Sequence, residues 1–362
     1  MYKKRLGIMA AAILLILLLA ACGGGAEEVL EPEPEPTPEP IETPVVETPP
    51  PPPEPPEPTN PLTGELMDEE LGNQRPWAVI LDNVRKAMPH DGIRYADILY
   101  EVPVEGGFTR VLAVFQDIAD VGEIGPVRSG RHYFLDLVQG HDAIFVHGGG
   151  SPQAYAAIRD RGISNIDGVN GSGNEFFRDP DRRRTAGLEH SLMTSSDLLL
   201  QFVGNYNFST ERTAGFTPGL MFAEDGRPAD GQRADTVQVS FSIHKMNVFE
   251  FDPQTGLYRI SQRDEQPLID GVTEEQIQVV NVLVLFAGFS VMDDVGRLSV
   301  DFSAGGTGYY INGGQAVAIR WDKPVYGAPF IYTLEDGRPL ELGIGKSYIN
   351  IVNTTTGGVQ FG

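Results

Sequence analysis

The sequence predicts an α+β protein: an α/β domain over residues 75–215, then a mostly antiparallel β domain over residues 235–362. Three observations predict it. After Arg75, short apolar runs alternate with segments of helical spacing, the pattern of strands and helices in turn. From about residue 235, apolar residues recur with period two between turn signals. Residues 1–74 show neither pattern, and consist of an apolar leader followed by a tract of proline and glutamate.

The leader comes first. Lys3, Lys4 and Arg5 precede an apolar run from Ile8 to Ala21, and Cys22 closes it. A basic start, a short apolar stretch and small residues before a cut site make a secretory signal over residues 1–21, too short for a membrane span. Leu19-Ala20-Ala21-Cys22 resembles the bacterial lipobox, which implies cleavage before Cys22 and a diacylglycerol thioether on its sulfur. The chain has one cysteine, and it stands where that chemistry needs it. A disulfide framework and a zinc finger are excluded by the same count.

Residues 22–74 read as a disordered stalk carrying the lipidated cysteine. From Gly23 to Gln74 there is no Lys or Arg against 14 Asp and Glu, and residues 31–60 hold 14 of the 28 prolines. Proline has no N–H to donate and a fixed φ, so the tract favours polyproline II; at ~3.1 Å per residue, Glu31 to Pro58 would reach about 87 Å. The formal charge of −23 is therefore uneven: residues 75–362 carry 24 basic and 36 acidic residues, a net of −12. This balance excludes a nucleic-acid binder, which needs basic surface against phosphate.

In the first domain, Trp77-Ala78-Val79-Ile80-Leu81 reads as a strand buried on both faces that stops at Asp82-Asn83. Thr109 to Gln116 is a second strand, and His132 to Val138 has helical spacing. Ala143 to Val146 is another buried strand ending at His147. Ser151-Pro152 opens a helix that stops near Gly162, with Ser as N-cap and Pro at its first position. Ser195/Ser196-Asp197 opens a further helix to Phe202. The alternation implies several parallel neighbours in one sheet. In the second domain, strands flank Asp252-Pro253-Gln254-Thr255-Gly256, and Asn312-Gly313 between Tyr309-Tyr310-Ile311 and Gln315-Ala316-Val317 marks a hairpin. Residues 205–235, rich in Gly, Thr and Asn, read as the junction.

Phosphate-loop, zinc-protease, calcium-loop and nucleophile-elbow motifs are missing, and Gly171-Ser172-Gly173 fails the elbow pattern because Asn170 and Asn174 flank it. The main candidate is His147-Gly148-Gly149-Gly150-Ser151-Pro152, between a buried strand and a helix start. Its glycines let backbone approach a ligand, and a helix N-terminus favours an anion. Asp82 and Asn83 should lie at the same end of the sheet, where open α/β sheets bind ligands. A glycine turn needed only for the bend is the competing reading. Arg128 and Arg131, three apart in Gly125-Pro126-Val127-Arg128-Ser129-Gly130-Arg131-His132, suit fork-like binding of phosphate or carboxylate, against a reading as salt bridges. Glu101 and Glu105, if extended, share a face about 13 Å apart, too far for an acid–base pair, so ion pairing with Arg110 is favoured. His190 completes the set, and no histidine pair has metal-ligand spacing. No cofactor or metal is expected.

Several blocks are similar to the YerB family of bacterial lipoproteins: Arg75-Pro76-Trp77-Ala78-Val79 through Asp82-Asn83, Ala96 to Glu101, Glu105-Gly106-Gly107-Phe108-Thr109-Arg110, Gly125 to Ser129, His147 to Ala154, and His190. The likeness covers nearly all of residues 75–362 and departs at Met88-Pro89, where the family leads one to expect Arg-Pro. It implies a membrane-anchored lipoprotein of two domains with no settled activity, and carries no catalytic residue across.

The expected role is a lipoprotein on the extracytoplasmic face of the membrane that binds an anionic or glycan envelope component, a cell-wall polymer, or a partner protein. Two alternatives stand beside it: a hydrolase or transferase on envelope glycans with His147 or His190 as base and Asp82 or Glu101 as partner, and a scaffold docking another envelope protein through the β domain.

Overall fold

A run of six buried residues, Trp77–Asp82, needs a strand on each edge and cover on each face. The structure, a computed structural model, describes residues 57–171, 173–262 and 266–362. The leader, Cys22, the Glu-Pro tract to residue 56 and Ser172 lie outside the described residues.

In chain order the elements used below are β1 (Trp77–Asp82), β2 (Ile98–Pro103), β3 (Thr109–Phe115), α1 (Phe134–Gly140), β4 (Ile144–His147), α2 (Pro152–Arg161) and β5 (Asn165–Asp167). Then come β6 (Thr236–Ser240), β7 (Met246–Asp252), β8 (Leu257–Gln262), β9 (Asn281–Val291), β10 (Gly306–Asn312), β11 (Gln315–Asp322), β12 (Ser347–Asn353) and β13 (Gly358–Phe361). Among the described residues, one large sheet runs β11-β10-β9-β12-β2-β3-β1-β4-β5. A second sheet stacks β8, β7, β6 and β13, each antiparallel to the next.

The N-terminal part is a mixed α/β domain and the C-terminal part largely antiparallel β. Its parallel pairs are fewer than the alternation implies. β1 is parallel to β4, and β4 to β5, but β3 lies antiparallel to both β1 and β2. The cause is loop length: only residues 104–108 join β2 to β3, a connection that permits a hairpin and no crossover. In the second part, β10 and β11 pair from Asn312↔Gln315 outward, with Gly313 and Gly314 at φ 57° and 76° making the turn.

One strand crosses the boundary that the composition suggests. β12, from near the C-terminus, is parallel to β2 on one side and to β9 on the other, so both parts share the large sheet. The start of the folded part also differs from expectation. The stalk does not extend to residue 74: Leu62 is fully buried, the Asn60 amide donates to Asp97 at 3.0 Å, and Gly345 N–H donates to Thr63 O at 2.8 Å. Asp97, buried at the start of β2, is pushed up to about 6 by desolvation.

Side chains alternate across the pleat, so β1 sends Val79 and Leu81 into one core and Ala78 and Ile80 into the other. Ser151 caps α2 by accepting from Ala154 N at 3.1 Å, and Gly162 ends it in the left-handed conformation. No helix among the described residues is long and apolar enough to cross a membrane.

Candidate functional site

Three arginines meet at the end of β1. Asp82, its last residue, lies opposite Arg110 of β3. The segment 126–130 runs alongside, with Asp82 N donating to Pro126 O and Arg128 N to Ile80 O, both at 2.9 Å. This pairing brings Arg128 and Arg131 to the same mouth. Together with Glu105 and His190 these groups line a cavity of about 580 Å³. Its wall carries five basic residues, the three arginines with Arg85 and Lys86, against Asp82, Glu105 and Glu189. In a folded part that is acidic overall, this concavity is basic.

The pairing within it is unequal. Arg131 grips Glu105 with two hydrogen bonds of 2.7 and 2.8 Å, and that contact outweighs burial and holds the carboxyl below its usual range. Arg128 reaches Asp82 at 3.2 Å and Glu189 at 2.7 Å. His190 Nδ1 is 2.7 Å from Asp82 Oδ2; an ionised carboxylate only accepts, so Nδ1 is the donor. Arg110 is the exception: it is 7% exposed, donates to Ser129 O, and forms no ion pair among the described residues. Burial first, then repulsion from Arg131 and Arg128, pulls its pKa down to about 9. The expected pairing of Arg110 with Glu101 or Glu105 is thus corrected: Arg131 takes Glu105, and Lys245 takes Glu101.

Glu101 and Glu105 part company because the chain leaves β2 at Pro103. Glu105 faces the arginines, whereas Glu101 is fully buried in a polar knot. Its carboxylate accepts from the Asn83 amide at 2.9 Å, the Thr109 hydroxyl at 2.6 Å, the Asn247 amide at 2.6 Å and the Tyr348 hydroxyl, with Lys245 Nζ at 3.3 Å. The knot ties β2 and β3 to β7 and β12 and forms the floor beneath a second cavity of about 380 Å³, lined by Asn83, Thr109 and Lys245.

His147 and the glycine run lie apart from both cavities. The imidazole is fully buried and stacked on Phe145 at 4.6 Å, with Nδ1 2.8 Å from Gly149 O and Nε2 3.1 Å from Asn165 Oδ1. The loop's N–H groups are already used: Gly148 N donates to Arg128 O, Gly149 N to Asp167 Oδ1 and Ser151 N to Gly130 O. A Cβ at 148 would stand 2.6 Å from Leu192 Cδ2 and 3.3 Å from Val127 O, so a side chain there requires Leu192 to shift. The run therefore stitches α2 to the arginine segment. No cluster of three or more metal-ligating side chains occurs among the described residues.

Sequence reasoning missed Arg85, Lys86, Phe108 and Glu189 on the arginine cavity and Lys245 on its neighbour. Phe108 stands within the Glu105–Arg110 block but was given no role; the others stand in no motif, and Lys245 comes 144 positions after Glu101, so no local signal marks it.

The family models match both parts. Residues 62–209 match the N-terminal domain of a protein of unknown function, DUF3048, and residues 237–349 match its C-terminal domain. The chain belongs to the YerB-like DUF3048 family. It is 30% identical over 296 residues, 81% of this chain and 85% of the other, to "Putative lipoprotein YerB" of Bacillus subtilis (strain 168). The crystal structure of the YerB protein from Bacillus subtilis superposes with a TM-score of 0.73 at 27% identity, covering 84% of this chain and all of that one. As a DUF3048 chain it carries a family description that assigns no function, so its chemistry has to be read from the cavities.

Proposed function

We propose that this protein is a lipid-anchored envelope protein on the extracytoplasmic side of the membrane, and that it binds an anionic envelope component in the arginine cavity. The anchor rests on the leader and Cys22, and the relative's name as a lipoprotein supports it. One observation carries the binding reading. Arg110 is buried and forms no ion pair within 4 Å among the described residues, and Arg131 and Arg128 repel it more strongly than Glu105 attracts it. Removing one partner from a buried charge costs several kcal/mol, so a guanidinium kept this way is stabilised when an anion enters. The Pro-rich tract then acts as a spacer between membrane and cavity.

The test is binding of full-length protein, in neutral detergent micelles, to isolated anionic cell-wall polymers. The double variant Arg128→Ala, Arg131→Ala should bind at least tenfold more weakly, and wild-type affinity should fall as salt rises. Unchanged affinity in the double variant sinks the reading.

The Asp82–His190 contact favours a second reading, in which the carboxylate orients the imidazole and the ring takes a proton from a water that attacks an ester bond of the bound glycan, that bond breaking as the alcohol leaves with a proton from solvent. The same incubation distinguishes the two: fragments released by wild type but not by His190→Gln mark an enzyme, and no release marks a binder.

A further inference from the structure

The two cavities share a wall. Val84, Arg85, Phe108 and Thr109 line both, so the basic concavity opens toward the cavity above Glu101 and Lys245. Each falls in the range of roughly 300–1,000 Å³ where small-molecule sites lie. Phe108 is the dividing feature, with 48% of its surface exposed although it is a large aromatic. Its backbone is held: Gly106 and Gly107 turn at φ 73° and 74°, Val104 N donates to Phe108 O at 2.8 Å, and the Ser242 hydroxyl donates to Gly107 O at 2.7 Å. An exposed ring on a fixed loop between two cavities is a platform for the C–H face of a ligand.

Beyond the ring the chemistry changes. Lys245 is buried, and its one ion pair among the described residues is with Glu101 Oε1, which already accepts from Asn83 and Thr109. No group among the described residues takes a good hydrogen bond from its ammonium. Its Nζ is closed off from the cavity, so Lys245 acts on this end through its charge and not through a direct hydrogen bond to a ligand. Its charge is offset by Glu101, so this end suits neutral hydroxyls or amides; the Asn83 amide is spent on Glu101 and Thr109, and the Gln262 amide, with a long 3.5 Å contact to Asn83 Oδ1, is the lining group placed to meet them. The arginine end differs by carrying two more basic than acidic side chains. That excess matches the −1.5 to −2 charge of a phosphate monoester better than the single charge of a carboxylate.

We infer that the ligand is a sugar phosphate, free or as the end of a glycan: its phosphate lies among Arg110, Arg128 and Arg131, and its sugar crosses Phe108 into the neighbouring cavity to meet Gln262. This rests on the anion reading of the arginine cavity and adds the sugar subsite. Isothermal titration of the full-length protein in neutral detergent with inorganic phosphate, glucose 1-phosphate and glucose separates the two. Glucose 1-phosphate should bind at least tenfold more tightly than inorganic phosphate, and glucose alone more weakly than either. Phe108→Ala, at a half-exposed position where folding is not at stake, should bring the ratio of the two phosphate affinities toward one. Gln262→Ala should do the same. Phosphate bound with no gain from the sugar, or a gain that survives Phe108→Ala, overturns the sugar subsite and leaves the anion site standing. Glucose binding as tightly as its phosphate overturns both.

Discussion

At the scale of single residues, burial decides what each polar group does. His90 and His147 are both fully buried, yet neither faces the arginine cavity. His90 Nε2 donates to Asp82 O at 2.7 Å and its Nδ1 has no partner among the described residues; desolvation pushes its pKa down to about 4. Because the folded value lies below the unfolded one near 6.5, the unfolded chain binds more protons between them, and this residue's stabilisation is present above pH 6.5 and lost as pH falls through 4. A gap of this size amounts to about 3 kcal/mol. Wild type should therefore lose about that much more stability than His90→Gln between pH 6.5 and 4, as read by urea unfolding at each pH. Asp97 runs the other way, since its raised value favours the folded state at low pH and that advantage fades as pH rises through 6. Equal slopes in wild type and His90→Gln would show that the ring is not buried as described.

At the scale of elements, the entry segment is the least expected. Residues 60–63 close against the edge of Asp97 and the loop before β12, with Leu62 fully buried in the same core as Ile98 and Ile349. Leu62→Ala should cost about 2–5 kcal/mol, the range for a buried leucine truncated to a cavity, measurable as a shift in denaturation midpoint. A cost below 0.5 kcal/mol would mean that this segment does not hold the fold. The helix start and the hairpin were legible: Ser151-Pro152 caps α2, and β10 turns into β11 where expected, though the two turn residues are Gly313-Gly314, one position on from Asn312-Gly313. Such signals are local, because a cap or a two-residue turn is determined by φ/ψ and one or two hydrogen bonds. The orientation of β3 was less legible. Its pattern records burial on both faces and not the direction of its neighbours, which the short 104–108 connection settles.

At the scale of the whole molecule, β12 is the element that matters most. It fills the gap between β2 and β9, and without it β2 would present a row of unpaired N–H and C=O groups. A chain ending at residue 235 should show no cooperative unfolding transition and should self-associate, whereas the intact protein should unfold with one. Calorimetry with light scattering on both checks this, and two separate transitions in the intact protein would contradict it. The same shared sheet assembles the cavities. Asn247 and Tyr348 come from the C-terminal part to Glu101, and Ser242 pins the loop that carries Phe108.

What the sequence determined by itself is therefore local or compositional: the apolar leader with its lone cysteine, the Pro/Glu tract, the strands and caps, and the two segments that carry Arg128 and Arg131. Tertiary structure alone decided which of those groups meet. It turned His147 inward onto Phe145, gave Glu105 to Arg131 and not to Arg110, and set Lys245 against Glu101. The physical reason is that periodicity and turn chemistry act over a few residues, while a cavity is made where distant strands are forced to share an edge, and no local pattern encodes that partner.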